Sequence, residues 1–188
     1  VFPLKIKGRK NGCLSFEELV AAYQDKVFGL SWQLTGNQAD AEDLAQEVFL
    51  RAYLALDNFR GEADPGTWLH RITMNVFLNK RRRESKAELL SLDAPVDTGE
   101  GEMQREVAAA GSDPLEALEE LELKSWVKKI LGELPPEFRA VLVLRELQGY
   151  SYEEMARILG CPPGTVKSRL NRARKAFKEK FLEEGGEW

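Results

Sequence analysis

The amino-acid sequence predicts an all-α protein, built as two small helical domains joined by a flexible acidic linker. Three observations carry this. Apolar residues recur at spacings of three and four along most of the chain, and no segment shows the strict alternation of a half-buried strand. Helix-start signals recur in step with that pattern. Between residues 91 and 113 the pattern stops, in a run rich in Gly, Ala, Asp and Glu with no aromatic residue, which cannot bury enough apolar surface to order itself.

The elements follow in order. Ser15 and Glu18 have the spacing of a capping box, and Leu19, Val20, Tyr23, Val27, Leu30 and Leu34 then form one stripe. The run TGNQ breaks this helix. Asp40 and Asp43 favour a new N-terminus, and Leu44, Val48, Ala52 and Leu56 make the next stripe. NFRGEADPG is a loop, marked by its glycines and Pro65. A third helix is expected from Thr67, with Trp68, Leu69, Ile72 and Val76 inward, running into NKRRRE. These helices can bury one core, so residues 14–90 form the first domain and residues 91–113 the linker.

The second domain is expected over residues 114–182. A helical pattern resumes at Leu115, and Pro135-Pro136 ends one helix and opens another, since proline is tolerated in a first turn. FRAVLVLRELQG reads as a buried core helix ended by Gly149. Ser151 and Glu154 repeat the capping box, with Met155, Ala156 and Leu159 inward, and Gly160 ends this short helix. CPP turns the chain, and Thr165 begins the last helix.

Charge is arranged in blocks that the net charge of −4 conceals. His70 to Arg83 holds five basic residues and no acidic one, and Cys161 to Leu182 holds seven basic residues against Glu179. Between them, Glu84 to Leu123 holds twelve acidic residues against Lys86 and Arg105. One basic run is as readily a solvated face as a binding face. Two runs, each on a helix with a defined apolar side, favour polyanion binding.

Other classes find little support. No apolar run approaches the ~20 residues of a membrane span, so no direct membrane insertion is expected. The basic N-terminus lacks the apolar core of a secretory signal, and cytoplasmic localisation is the expectation. Cys13 and Cys161 are expected as free thiols. With His70 as the one histidine, no metal site is expected, and His70 reads as a surface or wedge residue. No phosphate-binding loop, nucleophile elbow or dinucleotide turn occurs. The expectation is therefore no catalytic residues, no enzyme and no cofactor.

Two short helices joined by a Gly-containing turn make a helix-turn-helix. Ala156 sits at the close crossing, Gly160 permits the turn, and Val166 and Leu170 pack the second helix down. That leaves Thr165, Lys167, Ser168, Asn171 and Arg172 facing out near its start, suited to base edges and phosphates of a major groove. Arg169, Arg174, Lys175 and Lys178 lie further round or along, better placed for phosphates.

AEDLAQEVFLRAY, FRGEADPGTWLHRITMNVFLNKRRR and LPPEFRAVLVLRELQGYSYEEMARILGCPPGTVKSRLNRARKAF together resemble bacterial sigma factors of the extracytoplasmic-function (ECF) group, in the same order, over roughly residues 15–182. The resemblance implies a factor that directs core RNA polymerase to specific promoters, with the first domain as sigma region 2 and the second as region 4. It implies that Asp43, Gln46 and Glu47 face the clamp helices of the polymerase β′ subunit, with Phe49 divided between core and interface, and that region 4 meets the β flap. The FRGEADPG loop, including Arg60 and Gly61, would wall the pocket for a base held out of the stack at the −10 element. Trp68 either stacks on DNA or fills the core. Asn75, one turn beyond Arg71, would read a base edge, and Lys80, Arg81, Arg82 and Arg83 would hold phosphates. Lys167, Ser168, Asn171 and Arg172 would read the −35 element. Promoter DNA and an anti-sigma factor complete the implied partners.

Geometry makes the polymerase necessary on this reading. Promoter elements about 22 base pairs apart lie ~75 Å apart. A tether of about 25–30 residues has a relaxed span near ~30 Å, so a scaffold must hold the domains apart. The alternatives are a free-standing helix-turn-helix regulator, which leaves the first domain and the linker unexplained, and an adaptor whose basic helices bind acidic partners.

Overall fold

The structure, a computed structural model, describes residues 15–59, 64–90 and 114–184. Every regular element among the described residues is helical. The predicted linker, and Arg60 and Gly61 of the expected loop, lie outside the described residues.

Helix α1 spans Phe16–Thr35. Its capping box forms as the spacing requires: the Glu18 amide donates to Ser15 Oγ at 3.2 Å, and the Ser15 amide donates to the Glu18 carboxylate at 2.9 Å. Helix α2 spans Gln38–Ala55 and starts earlier than Asp40. Asn37 is the cap, its Oδ1 accepting from the Asp40 amide at 2.8 Å, because a short side-chain acceptor here satisfies an otherwise orphaned donor. A 3-10 turn, Leu56–Asn58, leads to the loop. Helix α3, Pro65–Leu90, begins two residues before Thr67. Pro65 suits the first turn, where its missing N–H costs nothing, and the Asp64 carboxylate accepts from the Thr67 amide at 3.0 Å. The α1–α3 core holds Leu19, Val27, Leu30, Leu34, Leu44, Val48, Ala52, Leu69, Met74 and Phe77. Each large aliphatic or aromatic side chain buried this way contributes about 1.5–3 kcal/mol. Val20 is half-buried, at the rim of this core.

Helix α4, Pro114–Glu133, leads through Pro135 to α5, Pro136–Leu142. The apolar run after Phe138 is not one regular helix. Val143–Leu147 forms a π turn, with the Gln148 amide donating five residues back to Val143 O at 3.0 Å. Helix α6, Tyr152–Leu159, carries the second capping box, and α7 spans Pro163–Glu183. The last helix thus opens at Pro163 rather than Thr165, again because proline occupies a first turn without penalty. Met155, Ala156 and Ile158 are the buried residues of α6, whereas Leu159 sits at the edge.

The two helical groups pack against each other. Helix α3 lies along α6, and α5 reaches α3.

Candidate nucleic-acid interface

In the second group, Gly160 holds the left-handed conformation, with φ of 62°, and ends α6 where a side chain would be strained. The Cys161 amide donates to Ala156 O at 3.1 Å, closing the turn. The Cys161 thiol is free and half-buried. Val166, Leu170 and Ala173 are buried, and they fix the rotation of α7. As a result Lys167, Ser168, Asn171, Arg172 and Lys175 are exposed, while Thr165 and Arg169 are half-buried at the flanks.

Several of these donors have local partners. Ser168 Oγ donates to Thr165 O at 3.0 Å, and Arg172 Nε approaches Ser168 O at 3.5 Å. Arg174 forks onto one oxygen of Glu146 at 2.7 and 2.9 Å, so this expected phosphate anchor is held by a carboxylate. Lys175 and Glu179 lie 3.7 Å apart. Exposed pairs of this kind contribute at most about 1 kcal/mol and yield easily to a phosphate.

In the first group, Arg71, Asn75 and Asn79 stand exposed at successive four-residue steps along α3, continued by Arg82 and Arg83. Asn79 was not singled out by the sequence, although its i, i+4, i+8 spacing from Arg71 was legible. Lys80 and Arg81 point back onto the protein. Lys80 Nζ meets Asp40 at 3.2 Å, and Arg81 pairs with Glu84 at 3.0 Å and lies over the Phe77 ring. The Asn37 amide and then Lys80 hold the Asp40 carboxyl below its usual range. Trp68 is half-buried, its ring 4.7 Å from that of Phe59, and it packs on the core.

Gly66 is buried in the first turn of α3. A Cβ there would stand 3.0 Å from the Tyr23 ring and 2.9 Å from the Asp64 carboxylate, so the close approach of α3 to α1 requires glycine.

On α2, Asp43 and Gln46 are exposed, and Glu47 is half-buried beside Arg51 at 2.7 Å. Phe49 is half-buried, with the Phe16 ring edge-on at 6.5 Å. Beside them Leu50 and Leu54 are 53% and 68% exposed, an apolar pair one turn apart that lies off the core-facing stripe of α2. Between α2 and α3 runs an open groove of about 370 Å³, lined by Asp43, Glu47, Arg51, Asn79 and Arg83 among others.

His70 is not a surface or wedge residue. It is 5% exposed, and its Nδ1 lies 2.7 Å from the Tyr150 hydroxyl of the second group. Helix α3 turns it away from the Arg71–Asn75 face and toward α6. Burial, with the nearby Lys26 charge, pushes its pKa down to about 4. Among the described residues no group of His, Cys, Asp and Glu is clustered to hold a metal.

A family model described as Sigma-70 region 2 matches residues 19–87, and one described as Sigma-70, region 4 matches residues 124–177. The ECF RNA polymerase sigma factor SigW of Bacillus subtilis is 36% identical over 168 residues, spanning 89% of each chain. The chain belongs to the ECF RNA polymerase sigma factors. SigE of Mycolicibacterium smegmatis, named as an ECF sigma factor, is 38% identical over 176 residues, and the match covers 92% of this chain and 64% of that longer relative. The sigma factor RpoE solved with the anti-sigma factor NepR from Bartonella quintana superposes with a TM-score of 0.65 at 27% identity, covering 87% of this chain and 94% of that one. The function is that of an ECF sigma factor, sigma factors being transcription initiation factors rather than catalysts, and the free-standing regulator is not favoured. Among the described residues no helix is long and apolar enough to cross a membrane.

Proposed function

We propose a division of labour between the two groups within ECF promoter recognition. The α7 face of Lys167, Ser168, Asn171 and Arg172, with Thr165 and Arg169 at its edge and Lys175 beyond, reads the −35 element. The α3 face of Arg71 and Asn75, with Trp68 at its start and Arg82 at its far end, engages the −10 element. Lys80 and Arg81 serve this face from behind, reaching phosphates only by exchanging Asp40 and Glu84. Arg60 and Gly61, outside the described residues, belong to the same −10 reading. The observation that carries this is the rotation of α7: three buried apolar residues leave one continuous outward face of donors at the start of the second helix of a helix-turn-helix.

The exposed α2 face of Asp43, Gln46 and Glu47, flanked by Phe49, Leu50 and Leu54, meets core RNA polymerase through the β′ clamp helices, and the second group meets the β flap. Its mixed acidic and apolar character suits a protein rather than a nucleic acid. The likeness to a sigma factor solved with its anti-sigma factor supports such a factor as a further partner.

Run-off transcription from a cognate promoter, with and without core polymerase, tests this. Promoter-specific product and −35 protection should both require core enzyme. Equal specific promoter binding by the isolated chain would replace this reading with the free-standing regulator.

A further inference from the structure

Arg174 lies on the outward face of α7, yet its carboxylate partner belongs to neither helix of the helix-turn-helix. Seven residues beyond Lys167, it returns to within about 20° of the same direction, about 10 Å further along the axis. It therefore shares a line with Lys167 and Asn171 on the face that reads the −35 element. Its side chain is half exposed, and so is that of Glu146. Arg174 Nε and Nη2 both donate to Glu146 Oε1, at 2.9 and 2.7 Å.

The atoms used decide what this pair can do. A guanidinium is a rigid planar fork of five N–H donors, and Nε with Nη2 forms its side edge. Glu146 takes that edge. The terminal edge, Nη1 with the second hydrogen of Nη2, points away from the carboxylate. Two parallel donors of that kind match a pair of phosphate oxygens. Arg174 can thus keep Glu146 and still offer a complete fork to DNA. Tyr152, at the head of α6, also acts on this guanidinium, and with Glu146 it holds Arg174 more firmly protonated than usual.

Glu146 is itself held in place. It sits in the π turn Val143–Leu147, where buried Val143 and Leu144 face the core and Glu146 is left exposed. Its neighbour Arg145 donates to Tyr150 O at 2.8 Å and lies 5.2 Å over the Tyr152 ring, tying the turn to the head of α6. The carboxylate is therefore presented from a braced segment. A half-exposed ion pair adds little to stability, and a carboxylate beside a DNA-reading face repels phosphate. Stability alone is a weak reason for Glu146 to stand there.

We propose that Glu146 is a positioning residue for −35 recognition: from outside the helix-turn-helix it holds Arg174 by one edge and aims the other at a backbone phosphate flanking the element. The inference rests on the α7 reading proposed above and deepens it. Holding a long side chain in advance spares the rotamer freedom that it would otherwise lose on binding. Such a contact carries no base information but fixes the register of α7 in the groove.

The sign of one substitution separates positioning from simple charge. If Glu146 acts only by its charge, its removal tightens DNA binding and steepens the salt dependence. Positioning gives the opposite. Core polymerase carrying the full chain would be titrated onto promoter DNA over a range of salt. Glu146→Gln keeps the size and removes the charge. It should weaken binding about fivefold. It should also lower the salt slope toward that of Arg174→Ala, by at most about 0.9, the share of one phosphate. Matched and mismatched −35 sequences should be affected alike, at an unchanged urea midpoint. In the Arg174→Ala background Glu146→Gln should add nothing. Should Glu146→Gln fold poorly, Glu146→Asp decides: it keeps the charge, falls one methylene short of the fork, and should weaken binding too. Binding as tight as wild type or tighter in these variants, or a loss that persists undiminished without Arg174, overturns the proposal. Arg172→Ala tells the two levels apart. If it relaxes −35 selectivity while Glu146→Gln binds like wild type, the positioning role alone is lost. If Arg172→Ala is silent as well, the α7 reading falls and the positioning role with it.

Discussion

Acidification should open the contact between the two groups, through one residue. His70 is the single histidine of the chain. Burial holds its pKa down to about 4 from an ordinary 6.5. The sign follows from the depression. The packed form resists the proton that the separated form accepts, so packing is fully favourable above about pH 6.5 and weakens as the pH falls toward 4. The full effect is about 3 kcal/mol, and between pH 7.5 and 5.5 the open-to-closed ratio should rise about tenfold. The groups that act on His70 are Lys26 of α1 and Asp64 at the head of α3, with the Tyr150 hydroxyl against it, and Glu154 acts on Tyr150 in turn. Of these, Glu154 is held below its usual range by Ser151, so it stays ionised throughout that window, and Tyr150 is raised above its usual range by burial, so it stays neutral. The assay is single-molecule energy transfer between dyes on Gln24→Cys and Glu153→Cys of the full chain, with Cys13 and Cys161 changed to serine, counting open molecules from pH 7.5 to 5.5 with His70 present and with His70→Gln. Wild type should follow the curve, and His70→Gln should be flat. A flat wild type, or the same slope in both, refutes the reasoning.

Three further expectations follow from particular contacts. Gly66→Ala forces a methyl against the Tyr23 ring and the Asp64 carboxylate, and should lower stability to urea by about 1–3 kcal/mol. Gly160→Ala puts a side chain at φ of 62° and should cost about 1 kcal/mol or more, read in the same unfolding curves. Arg172→Ala should cost about 1–3 kcal/mol at one −35 position of a promoter panel, whereas Lys175→Ala should weaken all sequences alike and lessen the salt dependence. Identical profiles would remove the division between reading and anchoring residues.

Most of the fold was legible because helices announce themselves locally. The capping boxes at Ser15 and Ser151, the helix start at Pro136 and the stripe of Val166 and Leu170 depend on near neighbours in sequence, and all of them form. What escaped depends on distant partners. Nothing near His70 in sequence signals burial, since the hydroxyl that receives it is eighty residues away. Arg139 looks like an interruption in an apolar run until the end of α1 supplies its acceptor. Arg174 read as an anchor for phosphate because Glu146 is far off along the chain. Leu50 and Leu54 were invisible for another reason: they lie outside the buried stripe, where helical periodicity carries no signal.

The π turn at Val143–Leu147 has a consequence for how such a chain evolves and how it can be edited. A π turn holds one residue more than the α turn it replaces. The turn absorbs that residue locally, whereas one residue more or less in a regular helix turns everything after it by about 100°. Gln148 and Tyr150 thus keep their places against Gln33 and His70, and Val143 and Leu144 keep the core face, with the extra residue present. Chain length in this one short segment is therefore buffered. A single-codon deletion here should disturb the second group's placement less than the same deletion in α5 or α7.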